Sequence, residues 1–239
     1  QKLMPEVQTA LKQLNSALQQ AHDFDASISD KTYCLAMRDI IESTMLPPMI
    51  QNLNELAPNV TLASVRIERK EMAQKLASGE VDFAVDILLP KQKNIMHVKL
   101  IEDDLVIISN KSLRNTGAAI SESQYLKAKH ILVSTRASGP NLVDYTLSFL
   151  GLERNISLRC QHYYAACQVV NKTDLLLTMP KHYAQVLAQH FDNIEIHPLP
   201  FKSGNIDMHL YWHQNRDTDP ANMWFRDFIN DTLSNWVAT

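Results

Sequence analysis

The sequence predicts an α/β fold built from repeated strand–loop–helix units, and three observations bear on it. Short apolar, β-branched runs alternate with segments of helical period, the pattern of strand–helix–strand units whose ligands sit at the carboxyl ends of a parallel sheet. A strand, a polar loop and a helix start occur together twice, at 37–44 and at 134–142. At 239 residues the chain is long enough for one large domain or two modest ones.

In chain order, residues 1–28 read as a helix. Met4, Val7, Leu11, Leu14, Leu18 and Ala21 recur at alternating spacings of three and four, which is a heptad seam. Val7, Leu11, Leu14 and Leu18 are therefore the candidate dimerisation residues. The plainer alternative is an amphipathic helix packed on its own domain. Residues 22–31 are polar and read as a hinge. The apolar run 35–37 then breaks into a polar loop, Arg38-Asp39, with Ile40 and Ile41 behind it. Ser43 or Thr44 is placed to cap a helix whose first turns hold Pro47 and Pro48, where a missing amide has no intrahelical partner to lose. Leu46, Ile50, Leu53 and Leu56 form its apolar face, and Pro58-Asn59 stops it. A strand at 60–67, a helix at 70–77 closed by Gly79, and an apolar strand at 81–87 interrupted by Asp82 and Asp86 complete the first unit.

Residues 88–99 read as a polar loop and 100–109 as a loop and strand. A short helix at 121–127 precedes a buried strand at 130–134 and the loop 135–140. Asn141 or Ser138 caps the next helix, 142–150. Asn141 with Asp144 three residues on resembles a capping box, although the box prefers Glu or Gln, and Gly151 closes the helix. Strands at 158–162, 174–178, 194–200 and 207–213 alternate with helices at 163–171 and 182–191. A last helix starts at 219–222 and carries Met223, Phe225, Phe228, Ile229 and Trp236. Each of the two strand–loop–helix starts offers unpaired amides and the positive end of a helix dipole to a polar or anionic group.

Composition removes several function classes. Five glycines leave no glycine-rich phosphate loop, and a net charge of −3 gives no basic footprint for nucleic acid. Cys34, Cys160 and Cys167 are an odd, unpaired set that suggests a reducing compartment. No run is long and apolar enough for a membrane span, and no export signal opens the chain, so a cytoplasmic protein is expected. Nine histidines include no HExxH frame; His209 and His213, four apart on a predicted strand, read as surface or packed residues before they read as metal ligands. Ser134 and Ser138 lack a G-x-S-x-G elbow. Asp39 and Asp86 are the one acid pair that topology might bring together, and such acids serve a ligand's hydroxyl or amine as readily as catalysis. No catalytic residue, metal or cofactor is therefore expected.

Several ordered blocks also carry a family resemblance. Met45-Leu46-Pro47-Pro48, Leu56-Ala57-Pro58-Asn59-Val60, 76–84 (LASGEVDFA) and Lys172-Thr173-Asp174-Leu175 before Pro180 resemble the effector-sensing half of LysR-type transcriptional regulators. The similarity covers nearly the whole chain and is strongest to the branch that answers aromatic compounds and flavonoids. It implies two Rossmann-like lobes of the type 2 periplasmic-binding-protein kind, joined by crossover strands: 32–106 with 212–239, and 107–211. It implies an inter-lobe cleft holding a small effector, aromatic compounds among the candidates. It also implies a homodimer or homotetramer assembled through a linker helix at 1–28, and DNA contact only through an N-terminal winged helix-turn-helix upstream of Gln1. The pocket residues so implied are Asp39, Ile40, Ile41, Asp86, Thr135, Arg136, Tyr163 and Phe201. Asp39 departs from the Ser or Thr that many relatives carry, since an ionised Asp39 repels a carboxylate. Arg38 or Arg136 can offset it, Asp39 can be protonated, or the ligand can be neutral. A transport-type solute-binding protein of the same two-lobe fold is the alternative, and it would want an export signal and no heptad helix.

Overall fold

Two five-stranded sheets organise the chain in a computed structural model that describes residues 7, 24–114, 119–204 and 206–237. The first sheet holds β1 (Thr32–Ala36), β2 (Thr61–Val65), β3 (Phe83–Ile87), β4 (Ile95–Ile101) and, returning late in the chain, β10 (Met208–His213). Their order is β2-β1-β3-β10-β4. The second holds β5 (Leu105–Asn110), β6 (Lys129–Val133), β7 (Asn155–Cys160), β8 (Leu176–Pro180) and β9 (Ile194–Pro198), in the order β7-β6-β8-β5-β9. The expectation of parallel sheets is met only in part. β1 is parallel to β2 and β3, and β6 to β7 and β8, but β10 and β5 each run antiparallel to both neighbours. In each sheet the reversed strand is the one whose chain has just left the other unit.

The chain divides into one unit of residues up to Ile101 together with those from Asp207 on, and a second unit of Glu102–Ile206. These limits correct those expected from sequence. Residues 102–106 belong to the second unit because β5 pairs with β8 and β9, and 207–211 belong to the first because β10 lies between β3 and β4.

The first sheet buries both faces. One meets helices α1 (Asp39–Leu56) and α8 (Pro220–Val237) around Tyr33, Leu35, Phe83, Val85, Leu210 and Trp212. The Tyr33 and Phe225 rings stack there with centroids 3.8 Å apart. The other face carries Ala36, Ala84 and Tyr211 against Met72 and Leu76 of α2 (Met72–Ser78). Gly79, at φ 70°, ends α2 in the left-handed region that a Cβ disfavours.

The start of α1 differs from the sequence reading. The helix begins at Asp39 behind an extended Arg38, so Ser43 and Thr44 lie within it and donate their hydroxyls to the Ile40 carbonyl. Pro47 and Pro48 then fall two turns in, where they remove the donors that would have reached the carbonyls of Ser43 and Thr44. The buried stripe is Ile41, Met45, Met49 and Leu53, and it excludes Ile50 and Leu56, which are exposed.

The second unit packs Leu105, Ile107 and Leu176 of its sheet against Ile120, Tyr125, Val143 and Leu147. Its helices are α3 (Lys111–Arg114), α4 (Glu122–Lys127), α5 (Leu142–Phe149), α6 (Tyr163–Val170) and α7 (Lys181–Ala188). Both α4 and α5 open on capping boxes, Ser121 with Gln124 and Asn141 with Asp144. The segment 88–99, expected to be a loop, contributes most of β4. Its polar residues suit an edge strand, which charge protects from pairing with another chain. Of the predicted dimerisation seam, Val7 is helical and exposed, whereas Leu11, Leu14 and Leu18 lie outside the described residues.

Candidate functional site

In the first unit, β1 and β3 run parallel and end side by side, which brings the start of α1 next to the end of β3. Asp39, Ile40 and Ile41 occupy the first turn of α1 rather than a loop ahead of it. Asp39 is exposed, Ile40 is half-buried against the core, and Ile41 is packed inside it. Asp86, at the end of β3, is buried and doubly bonded: Arg69 Nε donates to Oδ2 at 2.7 Å and Nη2 to Oδ1 at 2.6 Å. The Ile87 amide adds a third bond at 2.8 Å. Such a fork-on-fork pair is among the stronger charge-assisted contacts, and it raises the affinity of Arg69 for its own proton.

The arrangement leaves Arg38 as the cation with capacity to spare. Its Nε stands 3.8 Å from Asp86 Oδ2, and its side chain keeps 34% of its exposure. Arg38, Arg69 and Asp86 together sum to one positive charge. They line a pocket of about 20 Å³ with Met37, Ile67 and Met72. That volume admits one water-sized polar group and no ring. Behind it, the Tyr211 hydroxyl donates to Ile87 O at 2.9 Å and accepts from the Leu89 amide at 2.8 Å, fixing the chain that leaves β3.

Because Arg69 claims both oxygens of Asp86, the carboxyl is committed to an ion pair, and an acid–base couple of Asp39 with Asp86 finds no support. Sequence reasoning missed Arg69. The signal available was a basic residue just ahead of a helix on a strand pair that also carries a buried acid.

In the second unit, the loop 134–140 holds Thr135 and Arg136, both exposed. Arg136 is turned inward on its own loop, donating from Nη2 to Pro140 O at 2.6 Å, while Arg159 Nη2 donates to Gly139 O at 2.8 Å. At the helix start that follows, the amides of Asn141 and Asp144 are already paired. Asn141 Oδ1 accepts from the Asp144 amide, Asp144 Oδ2 accepts from the Asn141 amide, and Arg154 closes the cluster. The cap of that helix is therefore built by the protein's own side chains.

Tyr163 opens α6 and meets Tyr183 edge-on, with centroids 5.9 Å apart. Phe201 packs on Tyr125 at 5.3 Å and lines an open groove of about 610 Å³ with Leu105, Val106, Lys181, His197 and Lys202. The lysines there had no sequence signal beyond their charge. Among the described residues no group of three or more His, Cys, Asp and Glu is placed to hold a metal. Nor is any helix among them long and apolar enough to cross a membrane.

Comparison with known proteins places this architecture. The profile of the LysR substrate-binding domain matches residues 29–234. The transcriptional activator NahR of Pseudomonas putida is 29% identical over 97% of this chain and 77% of its own length. NagR of a Ralstonia species is 29% identical over 94% and 74%. Among solved structures, the probable transcriptional regulator PA0477 of Pseudomonas aeruginosa superposes with a TM-score of 0.84 at 27% identity, covering 96% of this chain and 76% of that one.

Proposed function

This chain belongs to the LysR substrate-binding family, the effector-binding part of transcriptional regulators, and from that premise we propose that its effector is a small anion with an apolar body. The observation that carries the reading is Arg38, a half-exposed guanidinium at a helix N-terminus whose neighbouring carboxylate is already held by Arg69. An anionic group there gains a charge-assisted bond and the favourable end of the α1 dipole. Asp39 and Glu42 in the same turn weaken that field, which sets a penalty for highly charged ligands. Ile40 offers the apolar contact beside Arg38, and an aromatic carboxylate satisfies both. Asp39, Ile40, Ile41 and Asp86 form the proposed first-unit set. Thr135, Arg136, Tyr163 and Phe201 form the second-unit set.

The matched relatives are regulators, which favours sensing over solute transport. The protein works without turnover, in the cytoplasm, as a homodimer or homotetramer, and DNA is read by a part of the regulator outside this chain. An effector acts through such a protein only if its affinity differs between two arrangements of the regulator.

The test is thermal unfolding against matched aromatic acids, phenols and amines, with product analysis of each mixture. A ligand of the folded state raises the midpoint in a concentration-dependent way. Acids are expected to stabilise, Arg38→Ala to abolish the shift, and Asp39→Ala to enlarge it. Stabilisation by amines alone, an Arg38→Ala shift equal to wild type, or release of a product would overturn the reading.

A further inference from the structure

On the first sheet, His97 of edge strand β4 and His209 of β10 face each other with their Nδ1 atoms 3.1 Å apart and their ring centroids 5.0 Å apart at 62°. This is not the His209–His213 pairing open to the sequence, since His213 Nδ1 accepts from the Asn215 amide instead. We propose that His97 and His209 form a two-imidazole site for a divalent transition metal of the zinc, copper or nickel class.

The geometry suits a shared ion. Two nitrogens 3.1 Å apart, each at the usual Zn–N length of about 2.05 Å, subtend about 98° at the metal, between the square and tetrahedral angles. Imidazole nitrogen is the donor these ions prefer. His97 is exposed, so water completes the coordination from the solvent side. His209 is buried, and its Nδ1 faces that of His97 across the two strands.

A second observation points the same way. His209 Nε2 and Asp207 Oδ1 are both buried and neither has a hydrogen-bond partner. Asp207 lies two residues before His209, just ahead of β10. A metal on Nδ1 fixes the proton on Nε2, which leaves that nitrogen as a donor for an outer-shell partner. Asp207 brings a negative charge to the same end of β10, and its other oxygen, Oδ2, lies 3.7 Å from Lys99. His209 is also the cross-strand register partner of Asp86, so an ion clamping β4 to β10 sits one strand from the Arg69–Asp86 pair.

The experiment is titration of the full chain with Zn²⁺, and with Cu²⁺ for its spectrum, comparing wild type, His97→Gln, His209→Gln and the control His190→Gln. His97 and His190 are both exposed, so their substitution leaves the core intact. One equivalent of Zn²⁺ is expected to raise the thermal midpoint in wild type and in His190→Gln, reversibly with chelator. Affinity should fall about tenfold or more in His97→Gln. Copper bound to wild type should show two equivalent nitrogen ligands, and one in His97→Gln. No stabilisation by metal, or binding that survives His97→Gln and His209→Gln unchanged, overturns the proposal and leaves the pair as an interstrand hydrogen bond only.

Discussion

Replacing Arg154 by Met should cost the second unit about 3–5 kcal/mol, the usual range for stranding one partner of a buried ion pair. The Arg154 side chain is 1% exposed, and its Nε donates to Asp144 Oδ1 at 2.7 Å. Its Nη2 donates to Asn141 Oδ1 at 3.2 Å and its Nη1 to the Tyr125 hydroxyl at 3.1 Å. Met keeps most of the aliphatic volume, so the loss is electrostatic rather than a cavity effect. The capping box survives, because the Asn141 amide still donates to Asp144 Oδ2. The stranded Asp144 charge is then the main cost, and adding Asp144→Asn to the Met variant should recover about 1–3 kcal/mol. Urea unfolding reads both. All three tryptophans, Trp212, Trp224 and Trp236, belong to the first unit, so far-UV circular dichroism reports both units while tryptophan fluorescence reports only one. A displaced dichroism transition with an undisplaced fluorescence transition is the expected signature. A loss below about 1 kcal/mol, or no recovery in the double variant, would refute the reasoning.

Other outcomes follow from the same contacts. Asp86→Asn should lower stability by about 1–2 kcal/mol, a modest figure because Arg69 can turn to solvent; thermal melts check it, and a neutral effect would mean that the pair holds nothing in place. Cys167 is buried and its thiol is pushed up to about 12, so at pH 8 only about one molecule in ten thousand carries the thiolate. It should resist Ellman's reagent in the native protein and react once urea unfolds it, and reaction at the rate of a free thiol under native conditions would contradict its placement. Burial also raises the Asp103 carboxyl above its ordinary 3.8, against the downward pull of His182 at 3.0 Å. An acid raised by folding contributes stability that is complete below pH 3.8 and is lost as pH climbs through the folded value. Asp103→Asn should therefore flatten the decline in stability on rising from that pH, and parallel profiles for the two proteins would show that the carboxyl does not titrate abnormally.

Local chemistry was legible in the sequence and distant pairing was not. Asn141 and Asp144 announce a capping box because both bonds lie within four residues, and Gly79 and Gly151 announce helix ends because their backbones take positive φ. The start of α1 misled because Pro47-Pro48 resembles a first turn, and the structure tolerates the two prolines two turns further in. β4 was invisible as a strand because an edge carrying His97 and Lys99 lacks the apolar alternation of a half-buried one. The insertion of β10 between β3 and β4 depends on residues more than a hundred positions apart, which no local pattern encodes. Asp86 stood out as an acid within an apolar strand, but Arg69 did not, because their pairing needs the β1–β3 crossover to be known.

The insertion of one unit within the other has a consequence for synthesis. Residues 102–206 emerge from the ribosome as an uninterrupted block and can complete their sheet as soon as β9 is made. The first sheet cannot. β4 has no neighbour until β10 arrives, and α8 covers the Tyr33 face only after it. During translation the earlier half of the first unit therefore waits with an open sheet edge and an uncovered apolar face, the state most exposed to mispairing. Losing the residues from 210 on would remove most of β10, the strand that joins β4 to the sheet, and the helix that lids its Tyr33 face, while leaving the inserted unit whole.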